Sequence, residues 1–232
     1  MSMSAAPFCY EQRRLENDLV ALEPFDPTLH AANFISQKQT HPELFQYVAF
    51  PDVNTEEEFV KDVYKPHIAA LPGECLYAII DKTKPEPATQ GYAGTIALSN
   101  TSAANASTEF GVLVFPAFQR THVASNAIGL LLLYTLDPPS MGGLGLRRVE
   151  WKCHSGNEAS KKAALRMGFE LEGVLRWERA FPWPTGVAVD ALERRNGTVG
   201  EARGRHTAVF SIVWDEWEGK RDGVLVQMER RS

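Results

Sequence analysis

The sequence predicts an α/β chain of mixed α+β type, with helices flanking one central mixed sheet. Three observations predict it. A strand-like run over residues 109–115 leads through a short polar loop into a long apolar helix that ends at Asp137. Strands alternate with helices through the middle of the chain, while strands that look antiparallel lie towards both ends. The 232 residues are 44% hydrophobic and 23% charged, an ordinary globular balance in a chain long enough to bury a sizeable core.

Residues 1–17 read as a flexible polar leader. Residues 19–24 form a short strand ended by Pro24, which has no N–H to continue a ladder. Thr28 is placed to cap a helix carrying His30, Ala31, Ala32 and Phe34, and residues 42–47 offer another short helical turn. The next helix has a strong start signal. Thr55 stands at its N-cap, Glu58 completes a capping box, and Glu56 and Glu57 add charge at the positive end of the dipole. That helix continues through Phe59, Val60 and Val63 towards Ile68. Residues 76–80 and 91–98 pair as a hairpin across a turn at 81–90, and the small polar residues 99–107 read as an exposed loop.

Residues 109–115 are rich in Val, Leu and Phe and stop at Pro116. Beyond the loop, Val123, Ala127, Leu131 and Tyr134 recur with a helical period. Ile128, Leu130, Leu132 and Leu133 widen that stripe until the helix is apolar nearly all round, which predicts burial against a sheet. Thr121 is its N-cap, and Asp137-Pro138-Pro139 ends it because a residue before proline avoids the α region. Such a helix is about 24 Å long. Its N-terminus opens onto residues 117–122, where first-turn N–H groups without helical partners favour an anion. Gln119 can donate hydrogen bonds there and Arg120 can grip a phosphate bidentately. The same loop equally suits a solvated connection with a surface arginine.

Residues 147–153 alternate strictly, with Val149, Trp151 and Cys153 facing one way and Arg148, Glu150 and Lys152 the other. Asn157 caps a helix that Gly168 ends as its left-handed C′ residue. Residues 171–181 are strand-like, 182–205 form an exposed loop excursion, 207–214 return as a strand, and 218–232 are a polar tail.

Several function classes are excluded by composition. A net charge of −5 argues against a nucleic-acid or anionic-membrane binder, whose footprint is basic. No apolar run is long enough to span a bilayer, and the first residues lack a signal core. The 3 cysteines, Cys9, Cys75 and Cys153, make neither a disulfide framework nor a zinc pair, which points to a reducing, cytoplasmic setting. The 6 histidines show no metal-binding spacing, so no metal is expected.

Certain segments, taken in order, carry a family resemblance. They are Glu109-Phe110-Gly111, the loop Gln119-Arg120-Thr121, the strand Arg148-Val149-Glu150-Trp151-Lys152, and Asn157 through Ser160 to Gly168-Phe169. Glu172-Gly173 and Arg176 complete the series. With these the chain resembles the GNAT acetyltransferase superfamily, specifically its RimJ/RimL-like branch with fungal relatives. The resemblance implies one acetyltransferase domain over 1–232 with a GNAT-like fold, its central sheet splayed between the two parallel strands 109–115 and 147–153. Acetyl-CoA, as co-substrate, would lie in that splay. Its pantetheine arm would pair with Val112, Leu113 and Val114, and its pyrophosphate would rest on Gln119, Arg120, Thr121, His122, Val123 and Ala124. Asn157 would hold the arm, and Lys161 stands within reach of a 3′-phosphate. His122 occupies the position of the first glycine of the superfamily loop, and Arg205-His206 stands where relatives carry Arg-Asp.

Acetyl transfer to an amine needs a proton acceptor for the nitrogen, a donor for the carbonyl oxygen and a proton for the departing thiolate. Proximity supplies much of the rate, so no covalent enzyme intermediate is required. By resemblance, Ser160 serves the thiolate. Glu109 is the first choice of base, since it shares its alternation phase with Gly111 and Leu113. Glu172 and Glu178 are rivals and Glu150 follows, and each glutamate is equally able to be an ion-pair partner. Phe45, Tyr47, Tyr77, Trp177 and Trp183 are candidates for an acceptor pocket or for the core. The expected partner is a small-molecule or peptide amine, and the expected assembly is a monomer or homodimer. The alternative function is a catalytically degenerate GNAT-like protein that binds acyl-CoA without turnover. A thiol hydrolase built on Cys153-His154 is disfavoured, because neighbours on a strand face opposite ways.

Overall fold

The computed structural model describes residues 8–48, 50–84, 91–181 and 203–230. One eight-stranded sheet organises them, in the order β1-β2-β3-β4-β5-β6-β8-β7. The strands are β1 (Leu15–Glu16), β2 (Val20–Pro24), β3 (Cys75–Asp81), β4 (Tyr92–Ser102), β5 (Ser107–Val114), β6 (Arg148–His154), β7 (Glu170–Phe181) and β8 (Arg203–Val213). Neighbours pair antiparallel throughout except β5 with β6, which run parallel. No helix among the described residues is long and apolar enough to cross a membrane.

The helices follow their sequence signals, with informative shifts. Helix α1 (Pro27–Thr40) is capped by Asp26 rather than Thr28. The Asp26 carboxylate accepts from the Thr28 N–H at 2.8 Å and the Thr28 hydroxyl at 2.7 Å, and Pro27 fits the first turn, where no N–H is needed. Thr55 and Glu58 form the expected capping box at the start of α2 (Glu56–Glu58), which runs straight into π-helical turns at Phe59–Ala69. Pro66, with no N–H to give, lies inside those turns. Helix α3 (His122–Leu136) begins at the Thr121 cap and is buried on nearly every side. Helix α4 (Glu158–Arg166) starts at Asn157, and Gly168 follows it with φ 89°.

Three expectations about loops and ends need correction. Residues 99–107 are not an open loop: β4 runs on to Ser102 and β5 begins at Ser107, so only a tight turn separates them. Ala106 takes positive φ in that reversal, and Asn100 does so at the register shift in β4 just before it. The described part of the leader is held in place. Leu15 and Glu16 pair with β2, the Cys9 N–H donates to Pro72 O, and the Tyr134 hydroxyl donates to Glu11 O. The polar tail is instead helix α5 (Trp214–Glu229), which buries Trp217, Val224 and Met228 against α3. Asp137 receives the Trp217 indole at 2.8 Å and Arg221 through both carboxylate oxygens. Buried Asn126 donates to Met228 O and accepts from Asn17, tying α3 to α5 and to the β1–β2 turn. Of the excursion at 182–205, residues 182–202 lie outside the described residues and the remainder belongs to β8.

Candidate active site

Where β5 and β6 part sets the position of the site. They pair at Ser107–Arg148, Thr108–Val149, Glu109–Glu150 and Phe110–Trp151, and then stop, although β5 continues to Val114 and β6 to His154. Burial follows the pairing: Thr108, Glu109 and Phe110 are buried, whereas Gly111 is exposed and Val112–Val114 are partly so. The Phe115 N–H donates to Ala93 O in β4. Backbone groups alternate along a strand, so residues 111 and 113 also point theirs at β4. Val112 and Val114 therefore aim their backbone groups into the opening, and there Val114 O accepts from the Gln119 amide at 2.9 Å.

A cavity of about 350 Å³ lies at this opening. Its sheet wall is one face of β4 and β5, where Thr95, Ala97 and Ser99 stand opposite Leu113, Gly111 and Glu109. Gly111 and Ala97 keep that wall low. A Cβ added at Gly111 would touch only the Ala97 methyl, at 3.8 Å. Leu113 and Val112 line the cavity, as do Glu109, Asn157 and Ser160, so five of the residues expected at the site from sequence meet there.

Glu109 is buried and held from one side. Its Oε2 accepts from Asn100 Nδ2 at 3.1 Å and from Lys152 Nζ at 3.2 Å, and Oε1 has no hydrogen-bond partner among the described residues. Lys152 also binds Glu150 at 2.9 Å, and Arg148 joins Glu150 to Glu172. Burial pushes the Glu150 carboxyl up, but Lys152 and Arg148 outweigh it and hold the group below the usual carboxylate range. Glu172 does not line the cavity. Arg148 grips both of its oxygens at 2.6 and 2.7 Å, Ser211 donates a third bond, and together they take it down to about 2. A carboxylate so satisfied is a poor proton acceptor, and Glu172 is an ion-pair partner here rather than a base. Glu178 accepts from the Thr207 hydroxyl at 2.9 Å and pairs with Arg179.

On the opposite side stands Ser160, in the first turn of α4. The Trp151 indole N–H donates to its Oγ at 2.9 Å, and the Asn157 carbonyl caps its backbone N–H at 3.1 Å. With its oxygen accepting from Trp151, the hydroxyl keeps its own proton free to donate. Burial pushes the Cys153 thiol up, against the lowering effect of the nearby Ser160 hydroxyl. His154 lies on the other face of β6, where its Nδ1 accepts from the Gly156 N–H and its ring meets Tyr47 at 5.3 Å. No Cys153–His154 proton pair forms.

Of the remaining cofactor candidates, Gln119 to Ala124 cluster at the α3 N-terminus rather than on the cavity wall, while Val114 ends β5 and Lys161 lies on α4. Gln119 and Arg120 are exposed, and Arg120 adopts φ 60°. Thr121 accepts from the Val123 N–H and donates to Phe118 O, while helix geometry leaves the His122 and Ala124 N–H groups without helical acceptors. The His122 ring is drawn towards β3, where Nε2 lies 3.2 Å from the buried Asp81 carboxylate. Its bulk is thereby turned away from the turn. Lys161 is paired with Glu158 at 2.6 Å.

Other residues at the cavity were given no role there from sequence. Arg205, buried, donates to Thr207 Oγ1 and to Tyr47 O, so the segment after Phe45 is tied to β8 across the cavity. Burial draws its pKa down. Arg179 also lines the cavity, brought there by a register shift in β7. His206 spends its Nδ1 on the Trp177 N–H at that shift. Sequence marks Arg205-His206 only as a motif position and Arg179 not at all, because strand register places them. Of the aromatic candidates, Phe45 and Tyr47 line the cavity, Tyr77 is core, Trp177 lies exposed on β7, and Trp183 is outside the described residues.

A mostly antiparallel sheet that opens at its one described parallel pair, with a helix N-terminus nearby, defines a GNAT-type acetyltransferase fold. The same architecture is seen in the GCN5-related N-acetyltransferase of Brucella melitensis, with a TM-score of 0.73, 26% identity, and coverage of 94% of this chain and 86% of that one. The chain belongs to the GNAT acetyltransferase family: the family model for the acetyltransferase (GNAT) domain matches residues 20–170. Over 102 residues it is 31% identical to the uncharacterized N-acetyltransferase YoaA of Bacillus subtilis, a match spanning 43% of this chain and 55% of that relative. RimJ of Mycobacterium smegmatis, solved in complex with CoA-disulfide, shares the fold at a TM-score of 0.64 and 16% identity, with coverage of 92% and 91%.

Proposed function

We propose that the chain is an acetyl-CoA-dependent N-acetyltransferase that moves an acetyl group directly onto a primary amine. One observation carries this: strand pairing ends at Phe110–Trp151, and the gap beyond it has Glu109 on one wall and Ser160 on the other. The residues present suit the co-substrate. Val112 offers strand-like backbone groups to an amide-bearing arm, Asn157 Nδ2 adds a donor, and Gly111 with Ala97 leaves room beside them. The α3 turn, with Gln119 and Arg120, suits the phosphates, and the position of His122 against Asp81 leaves that turn open. The CoA-disulfide held by RimJ is consistent with this assignment.

Acetyl-CoA supplies the acetyl group as an activated thioester. Val112 N–H is the donor aimed at the carbonyl oxygen as it gains charge. Glu109 Oε1 takes the amine proton, which becomes acidic as the C–N bond forms, while Lys152 and Asn100 keep Oε2 fixed. Ser160 donates a hydrogen bond to the departing thiolate, which takes its proton from solvent, and the Trp151 indole sets the direction of that hydroxyl. Trp151 is thus a positioning residue.

The test is amine-dependent release of free thiol from acetyl-CoA, measured beside thermal stabilisation by CoA. Thiol release that rises with amine and yields the N-acetyl product supports the enzyme. Stabilisation by CoA with no release on any amine is the outcome of a degenerate binder.

A further inference from the structure

On the side formed by α1 and the segment from Phe45 to Ile68, the cavity is walled mostly by hydrocarbon. Phe34 of α1 stacks on Phe59 at 5.0 Å and meets Phe45 edge-on at 5.8 Å, and Phe45 lies 5.1 Å from Phe50. These rings come from separate segments and brace one another, so the wall is built before any ligand arrives. Its inner rings are buried, while Phe50 is half-buried and Val48 is 37% exposed, leaving apolar surface at the cavity itself. Every lining residue from this side is uncharged. A second cationic group on an acceptor would lose its water here without gaining a partner, at a cost of several kcal/mol. A volume of about 350 Å³ shared with the end of a thioester arm also limits the body of the acceptor.

We infer that the acceptor is a compact primary amine attached to an apolar body the size of an aromatic or branched side chain. A free arylalkylamine and the first residue of a peptide both present that chemistry. This deepens the N-acetyltransferase assignment above and rests on it. The nitrogen lies at Glu109 and the apolar body against Phe45 and Phe50. Burying one phenyl ring, of about 100 Å², favours phenethylamine over ethylamine by about 30- to 250-fold in kcat/KM.

The experiment compares phenethylamine, ethylamine, putrescine, glucosamine and a short peptide beginning with Phe, using the full chain and acetyl-CoA. Preference for phenethylamine or the Phe peptide supports the inference, and the preferred one of the two identifies the source. Phe50→Ala and, as a variant that removes no core atoms, Val48→Asp are expected to cut the phenethylamine-to-ethylamine ratio at least about fivefold, with CoA affinity unchanged. Equal use of all amines, or preference for putrescine or glucosamine, overturns the inference and leaves the N-acetyltransferase assignment standing. Unaltered ratios in both variants overturn the aromatic wall as the selecting surface. CoA binding with no amine acetylated overturns the enzyme assignment, and the inference falls with it.

Discussion

Trp151→Phe deletes one hydrogen-bond donor and keeps an aromatic ring in place. The indole N–H lies 2.9 Å from Ser160 Oγ, and the ring packs edge-on against Phe169 at 5.5 Å, with 2% of the residue exposed. Without that donor the Ser160 hydroxyl can rotate away from the sulfur it is proposed to serve. A neutral hydrogen bond contributes about 0.5–1.5 kcal/mol net, so kcat is expected to fall about 2- to 13-fold. The smaller ring also leaves a gap that costs stability by about 1–3 kcal/mol, whatever residue stands at 160. A double-mutant cycle separates the two effects. Ser160→Ala alone should lower kcat by about 100-fold, with CoA affinity little changed. In the Ser160→Ala background, Trp151→Phe should alter kcat by less than about twofold while lowering the melting temperature as before. An equal kcat loss in both backgrounds would refute the positioning role.

Other outcomes follow from the same geometry. Glu109→Gln keeps the shape and the Asn100 contact but removes the proton acceptor. It should lower kcat/KM by about 100-fold and leave the CoA dissociation constant in place, as read by calorimetry. Arg120→Ala should weaken CoA binding by about tenfold or more and barely affect a pantetheine fragment without phosphates, and equal losses would rule out phosphate contact. Because Arg148 lowers Glu172 from 4.5 to about 2, that pair stabilises the fold above about pH 4.5 and loses its effect as pH falls towards 2. Arg148→Met should therefore cost at most about 1 kcal/mol at neutral pH, since Glu172 is part-exposed, and the deficit in urea titrations should shrink below pH 4. Asp137→Ala strands Arg221 and the Trp217 indole, and should destabilise by about 2–4 kcal/mol in the same assay.

The middle of the chain was legible because its signals are local. An apolar run with a Thr cap and a Pro-Pro stop defined α3, strict alternation defined β6, and Asn157 with Gly168 bracketed α4. Helix α5 was hidden because Trp217, Val224 and Met228 are separated by charged residues and by Gly219 and Gly223, which leave almost no helical stripe. Strand β1 has two residues, too few for any period, and is fixed by partners far along the chain. At the site, four glutamates and rival aromatics looked alike in sequence. Register separates them: Glu109 stands opposite Ser99 on the cavity face, whereas Glu172 is drawn to Arg148 and Ser211. The Trp151–Ser160 bond, and the tie from Arg205 to the Tyr47 backbone, join segments whose proximity no local pattern encodes.

Side-by-side strands running the same way cannot be joined by a tight turn, so the chain between Val114 and Arg148 must travel back along the sheet. It does so as α3, and the return leg necessarily begins at the end of β5 where its partner has already diverged. Connectivity alone thus brings a positive dipole end to the mouth of the gap, before any side chain is chosen. An antiparallel β5–β6 pair could be closed by a hairpin and would carry neither the gap's entrance nor its charge. On the proposed assignment, swapping Arg120 or His122 would tune the grip on a diphosphate, whereas the location of that helix N-terminus is a property of the crossover itself.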